Sequence, residues 1–135
     1  MPSVIDASVA FKWFVPEVDE DKALALLDAP VTLVAPDLIF AEVANAMWVR
    51  LRKLEAGPAA VKKAQEELRR ILSETAPTRE LVARAAEIAF QINDSVYDCV
   101  YLAYCEREKL ILTTADQRLI DHVGGTPFEA MVKFL

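Results

Sequence analysis

Asp6, Glu42, Asp98 and Asp116 are four carboxylates that stand where predicted strands end or predicted helices begin. Brought together, they cannot all ionise cheaply, because like charges a few ångströms apart raise one another's pKa. A divalent cation removes that cost. Oxygen-only ligands select a hard ion, so Mg²⁺ or Mn²⁺ is the expected cofactor, with water retained in its coordination shell. Such a site suits metal-assisted displacement at a phosphodiester, in which the ion neutralises phosphate charge and activates a water.

The elements that must position these acids follow from apolar patterning and breakers. Ser3 to Asp6 reads as a short buried strand and Ala7 to Phe14 as a helix ended by Pro16. The acidic run from Glu17 to Asp21 opens a helix through Leu27, closed by Pro30. Val31 to Ala35, β-branched and apolar, is a predicted strand, followed by a helix from Asp37 to about Glu55 that Gly57 and Pro58 end. Further helices are expected over 59–73 and 79–92, the second with Pro77 and Thr78 as break and cap. Ser95 and Asp98 form an S-x-x-D capping box before a helix to about Lys109. Leu110 to Thr113 is a third strand. Asp116 caps a short helix to His122, Gly124 and Gly125 stop it, and Met131 to Phe134 is a weak final strand.

Strands alternating with helices imply parallel pairing and right-handed crossovers, hence a three-layer α/β/α sandwich with a central parallel sheet. Ligands bind such sheets beyond the carboxyl ends of the strands. Asp6 ends the first strand, Asp116 lies just past the third, and Asp98 sits in the first turn of a helix that starts at the same edge. Glu42 lies on the helix after the second strand, among Leu38, Ile39, Val43 and Met47, where a charged group needs a partner or an ion. Asn45 is one turn further on the same face. Each acid also has a plainer duty: Asp98 and Asp116 as helix caps, Glu42 as a snorkelling residue. Asp6 has few structural tasks in view.

The rest of the composition sets bounds. At 135 residues, 54% hydrophobic and with only 3 glycines, residues 1–135 fit one compact domain. No run of eighteen apolar residues is present and the N-terminus lacks a basic region and a cleavage site, so no membrane association and a cytoplasmic location are expected. Cys99 and Cys105 fall on one predicted helix too far apart to pair and read as core. The net charge of -6 is a handicap for a nucleic-acid binder, since phosphate favours a basic surface.

These segments resemble a known family. VIDASVAFKWFVPE, PDLIFAEVANAMW, VYDCVYLAYCERE and LILTTADQRL are similar, in order and spacing, to the four motifs of PIN domains, and more closely to the VapC toxins of type II toxin-antitoxin pairs. The resemblance covers nearly the whole chain and places its acids at Asp6, Glu42, Asp98 and Asp116. It implies a five-stranded parallel sheet, Mg²⁺ or Mn²⁺ dependence, endonucleolytic cleavage of RNA, a homodimer and a small cognate antitoxin. By the same resemblance Asp6 and Asp98 are the main metal ligands, Glu42 and Asp116 are more peripheral, and Ser8, Asn45 and Thr114 support the ligands or orient substrate. A local departure is Asp94 in Asn93-Asp94-Ser95, read here as a solvated turn residue rather than a fifth carboxylate.

Other features weigh less. Arg50, Arg52, Lys53, Lys62, Lys63, Arg69 and Arg70 make a basic stretch suited to an RNA backbone, but Lys62 with Glu66, Lys63 with Glu67 and Glu66 with Arg70 are i,i+4 pairs that favour an ordinary solvated face. Trp13, Phe14 and Trp48 are expected in the core or a dimer interface. His122, the single histidine, is expected at a helix end, which excludes a ribonuclease built on paired histidines. Two rivals remain: a non-catalytic interaction module of the same fold, and an aspartate-based phosphoryl-transfer domain. Against the second, Ala7 and Ser8 follow Asp6 where a D-x-D phosphatase needs another aspartate. Metal-assisted cleavage does not by itself select RNA over DNA.

Overall fold

A computed structural model describes residues 1–135. Five strands, β1 (Ser3–Ile5), β2 (Leu33–Pro36), β3 (Glu74–Ala76), β4 (Ile111–Thr114) and β5 (Val132–Phe134), form one sheet in the order β3-β2-β1-β4-β5. Every adjacent pair is parallel. The chain starts at the centre, steps outward through β2 to β3, then crosses back to β4 on the other side of β1. Because crossovers are right-handed, opposite stepping directions put the connecting helices on opposite faces, which makes the three layers.

On the outward path lie α1 (Ala7–Phe14), α2 (Glu20–Asp28), α3 (Leu38–Leu51) and α4 (Gly57–Ile71); on the return, α5 (Val82–Ile92), α6 (Val96–Glu108) and α7 (Gln117–Val123). A single cluster of 33 buried hydrophobic residues forms the core, with Val4, Ile5, Val34 and Leu112 of the sheet at its centre. Both Cys99 and Cys105 are buried free thiols within it, as expected. The expected fold class holds.

Three boundaries differ from the sequence expectation. Gly57 and Pro58 start α4 instead of ending α3, which stops at Leu51. Proline fits a first turn, where its missing N–H is not needed. The glycine is required by close approach, since a Cβ there would lie 2.8 Å from the Leu51 carbonyl oxygen. The acidic run reads two to three residues early: α2 begins at Glu20, after Asp19 in the left-handed region. Finally, β3 occupies Glu74–Ala76, a segment assigned above to no strand. No helix is long and apolar enough to cross a membrane.

Candidate active site

Going outward from β1, the order of strands reverses between β1 and β4, and crevices at such a switch point are where open α/β sheets bind ligands. Ile5 pairs with Thr113, so the next residues, Asp6 and Thr114, emerge side by side at that crevice. Asp6 is only 8% exposed. Its Oδ1 accepts from the Ser8 hydroxyl at 2.5 Å and from the Ser8 and Val9 amides at 3.1 and 3.3 Å, while Oδ2 accepts from the Thr114 hydroxyl at 2.6 Å. Asp6 therefore has the structural task that the sequence did not suggest: it is the N-cap of α1.

Ser8 and Thr114 each work in two directions. The Ser8 Oγ accepts from the Ala115 amide at 2.9 Å, and the Thr114 Oγ1 accepts from the Asp116 amide at 3.1 Å. Together they lock the start of α1 to the end of β4 and fix where Asp116 departs. Burial raises the pKa of Asp6 above the usual carboxylate range, against the lowering effect of the Ser8 and Thr114 hydroxyls.

Glu42 approaches from α3. Burial raises its pKa too, opposed by the Tyr101 hydroxyl, which donates to Oε1 at 2.6 Å; the negative charge of Asp6 adds to the rise. Tyr101 is 2% exposed and its phenol is held well above its ordinary pKa, first by burial and then by Glu42. Tyr101→Phe should leave the half-buried Glu42 oxygen without its donor and cost about 1–3 kcal/mol in a urea titration; no loss would show that water replaces the phenol. Asn45 is exposed, makes no hydrogen bond to the acids, and shares only a surface groove with Glu42 and Tyr97.

Asp98 starts in half of the expected capping box. The Ser95 Oγ accepts from the Asp98 amide at 3.2 Å, but the Asp98 carboxylate does not return to the cap and instead meets Arg118. Arg118 of α7 spans three acids: Nη1 to Asp94 Oδ1 at 3.0 Å, and Nη2 to both Asp98 Oδ2 at 2.5 Å and Asp116 Oδ2 at 3.0 Å. Asp116 also caps α7 through the Arg118 amide, as expected.

Asp94 is not the solvated turn residue expected. Its side chain is 1% exposed, and its Oδ2 has no hydrogen-bond partner, with the His122 Nδ1 3.2 Å away. Burial works against its charge, yet Asp98, Arg118 and the Ser95 amide hold Asp94 below its ordinary pKa. The complementary result falls on Asp98: burial, then the neighbouring Asp94, push it up to about 7 despite Arg118. Of two close carboxylates, one keeps the proton.

The side chains thus form two linked groups, Asp6 with Ser8, Thr114 and the nearby Glu42, and Asp98 with Asp116, Asp94 and Arg118. All the donors at the crevice are hard oxygens, and burial holds three of the acids above their usual pKa, which fits a hard divalent cation. The acids are not preassembled: no three of the His, Cys, Asp and Glu side chains converge tightly enough to hold a metal ion in this arrangement.

A cleft of about 340 Å³ runs from Ser8 and Glu42 to Lys12 and Glu17. Lys12 is 6% exposed, with Nζ 2.6 Å from the Val18 carbonyl and 3.3 Å from Glu17, which also pairs with Arg50 at 3.2 Å. The three expected i,i+4 pairs between Lys62 and Arg70 do not form ion pairs, while Trp48 is 54% exposed on α3 and Trp13 is half-buried.

Solved structures share this fold. PAE2754 from Pyrobaculum aerophilum is 20% identical with a TM-score of 0.64, over 93% of this chain and 89% of that one. VapBC2 from Rickettsia felis, bound to a DNA fragment from its promoter, is 12% identical with a TM-score of 0.69, over 100% and 99%. The Mycobacterium tuberculosis VapC20, a Sarcin-Ricin loop cleaving toxin, is 16% identical with a TM-score of 0.63, over 83% and 86%. No curated protein sequence matches the chain. The family model described as "PIN domain" matches residues 3–125, and with Asp6, Glu42, Asp98 and Asp116 all inside that span, this chain belongs to the PIN domain family.

Proposed function

We propose that residues 1–135 form a single nuclease domain, a divalent-metal-dependent endoribonuclease that acts as the toxin of a toxin-antitoxin pair. The observation that carries this reading is the pairing of β1 with β4 at the switch point, which sets Asp6 beside Thr114, two residues before Asp116, with Glu42 near enough to feel the charge of Asp6 and Asp98 joined to Asp116 through Arg118. Asp6 and Asp98 are the proposed principal ligands of Mg²⁺ or Mn²⁺, with Glu42 and Asp116 completing the acidic ring. When bound there, such an ion supplies Lewis-acid charge for phosphodiester displacement. Ser8 and Thr114 hold Asp6 in one orientation through hydroxyls whose remaining bonds are fixed by the Ala115 and Asp116 amides. Tyr101 does the same for Glu42.

The similarity to VapC20 supports RNA as substrate, and the similarity to VapBC2 supports a small antitoxin partner. Apolar Phe90, Val82 and Val96, exposed on α5 and α6, support a homodimer. No part of this reading calls for a membrane, and we place the protein in the cytoplasm.

The test is cleavage of structured and single-stranded RNA by purified protein, with Mg²⁺ or Mn²⁺ against EDTA. Cleavage is expected only with the metal. Co-expression of the product of a short adjacent reading frame should suppress it; lack of such a frame would remove the toxin role and leave the nuclease. One observation favours a non-catalytic interaction module: Arg118 already pairs with two of these acids, Asp98 and Asp116, and with Asp94 besides. Undetectable metal binding together with no RNA cleavage would decide for that module.

A further inference from the structure

A single nitrogen of Arg118, Nη2, lies 2.5 Å from Asp98 Oδ2 and 3.0 Å from Asp116 Oδ2. A divalent cation held by both carboxylates through these oxygens would need the space between them that Nη2 fills. The guanidinium nitrogen and the ion therefore claim the same place and the same lone pairs. While Nη2 is there, an ion cannot bridge those two oxygens.

Three further observations show that Arg118 is held in this position. It enters from the solvent side, with its own side chain 51% exposed, while the Asp98 and Asp116 side chains beneath it are 22% and 31% exposed. Its other terminal nitrogen, Nη1, is anchored 3.0 Å from Asp94 Oδ1, and that carboxylate is buried. Its backbone amide is bound to Asp116 Oδ1 at 3.0 Å, so the base of the side chain is fixed beside the acid it covers. A planar fork with five donors suits this task, because it reaches the carboxylates from two separate nitrogens in a fixed plane, where a lysine ammonium offers one.

Resting on the metal-dependent reading above, we propose that Arg118 is a built-in competitor of the divalent cation: it acts as the counter-ion of Asp98 and Asp116 until an ion displaces Nη2. Asp94 is its tether. The Nη1 contact involves neither Asp98 nor Asp116, so it survives displacement and keeps the guanidinium at the rim of the site. The metal affinity of this protein is then set by the strength of an internal ion pair as well as by its ligands.

The experiment is calorimetric titration of Mn²⁺ into wild type, Arg118→Met and Arg118→Lys, with thermal melting of each in EDTA and in saturating Mn²⁺. In Arg118→Met the oxygens surrender no hydrogen bonds on binding, so Mn²⁺ should bind tighter by roughly tenfold or more. Arg118→Lys, which keeps the charge but loses the fork, should fall between. In EDTA the Met variant should melt below wild type, and Mn²⁺ should raise its melting temperature by more. Arg118→Gln replaces Met if that variant does not fold. Equal or weaker binding by the neutral variant overturns the inference, as does Arg118→Lys binding like wild type, which would make charge alone responsible. Mn²⁺ binding to none of the proteins overturns the metal-centred reading along with it, whereas equal binding by wild type and Arg118→Met overturns only the role given to Arg118.

Discussion

Asp6→Asn is expected to lower RNA cleavage by roughly a thousandfold or more, as loss of a principal metal ligand does, while leaving the melting temperature nearly unchanged. The two halves of this result have separate causes. Asparagine keeps an Oδ1 that can accept from the Ser8 hydroxyl and from the Ser8 and Val9 amides, so the cap on α1 survives. The amide nitrogen replaces Oδ2, and the Thr114 hydroxyl, which already accepts from the Asp116 amide, has a second lone pair with which to accept again. Loss of a buried carboxylate also removes the burial penalty that raises its pKa. What the amide lacks is negative charge for a cation. Asp6→Ala, by contrast, removes the cap as well and should cost about 1 kcal/mol in a denaturant titration. Cleavage by Asp6→Asn at the wild-type rate would sink the assignment; a large drop in its melting temperature would mean that the lost activity reports unfolding.

The parts of this site that local pattern could show were those with a local cause. Asp6 and Asp116 lie at the strand ends expected because each follows a short, partly apolar strand, and Asp98 lies at the expected helix start because a serine three residues before it caps that helix. The parts that depend on residues distant in sequence were not visible. Tyr101, 59 positions from Glu42, looks like any apolar helical residue until the phenol is seen to meet the carboxylate. Arg118 looks like an exposed helical charge, and the capping-box geometry predicted for Asp98 yields to it because a charged donor outcompetes a neutral backbone amide. Asp94 is buried by the approach of α7, which no local pattern encodes.

Strand β3 was missed for a related reason. Its residues Glu74, Thr75 and Ala76 lack an apolar run, and only Ala76 is buried. An edge strand needs only backbone pairing with one neighbour, here Val34–Pro36 of β2, so its sequence carries little signal. The five-stranded sheet was implied by the family resemblance, not by the periodicity of the chain.

Asp98→Asn should abolish cleavage and, in EDTA at pH 8, make the protein more stable than wild type. Asp98 has a folded pKa of about 7 against an ordinary value of 3.8, so the native state holds this proton more tightly than the unfolded chain does. Its contribution to stability is complete below about pH 4 and is lost as pH rises through 7. At about 1.36 kcal/mol per pKa unit the loss is at most about 4 kcal/mol, with the lowering effect of Arg118 already included and solvent screening at this partly exposed carboxylate reducing it further. Asp94 has the opposite sign: its folded pKa is lowered, so its contribution is present at neutral pH and fails only as pH falls below the ordinary carboxylate range. From about pH 4 up to about pH 7 Asp98 therefore weakens the fold as pH rises, and the raised Asp6 and Glu42 act in the same direction. Asparagine cannot ionise, and its side-chain oxygen still accepts from Arg118. Urea titrations in EDTA should show the variant ahead of wild type at pH 8 and the two converging toward pH 4. Mn²⁺ should then stabilise wild type and leave the variant nearly unmoved, because the ionised carboxylate that weakens the metal-free fold is the one proposed above to hold the cation. Parallel pH profiles for the two proteins would show that Asp98 does not carry the strain of this site.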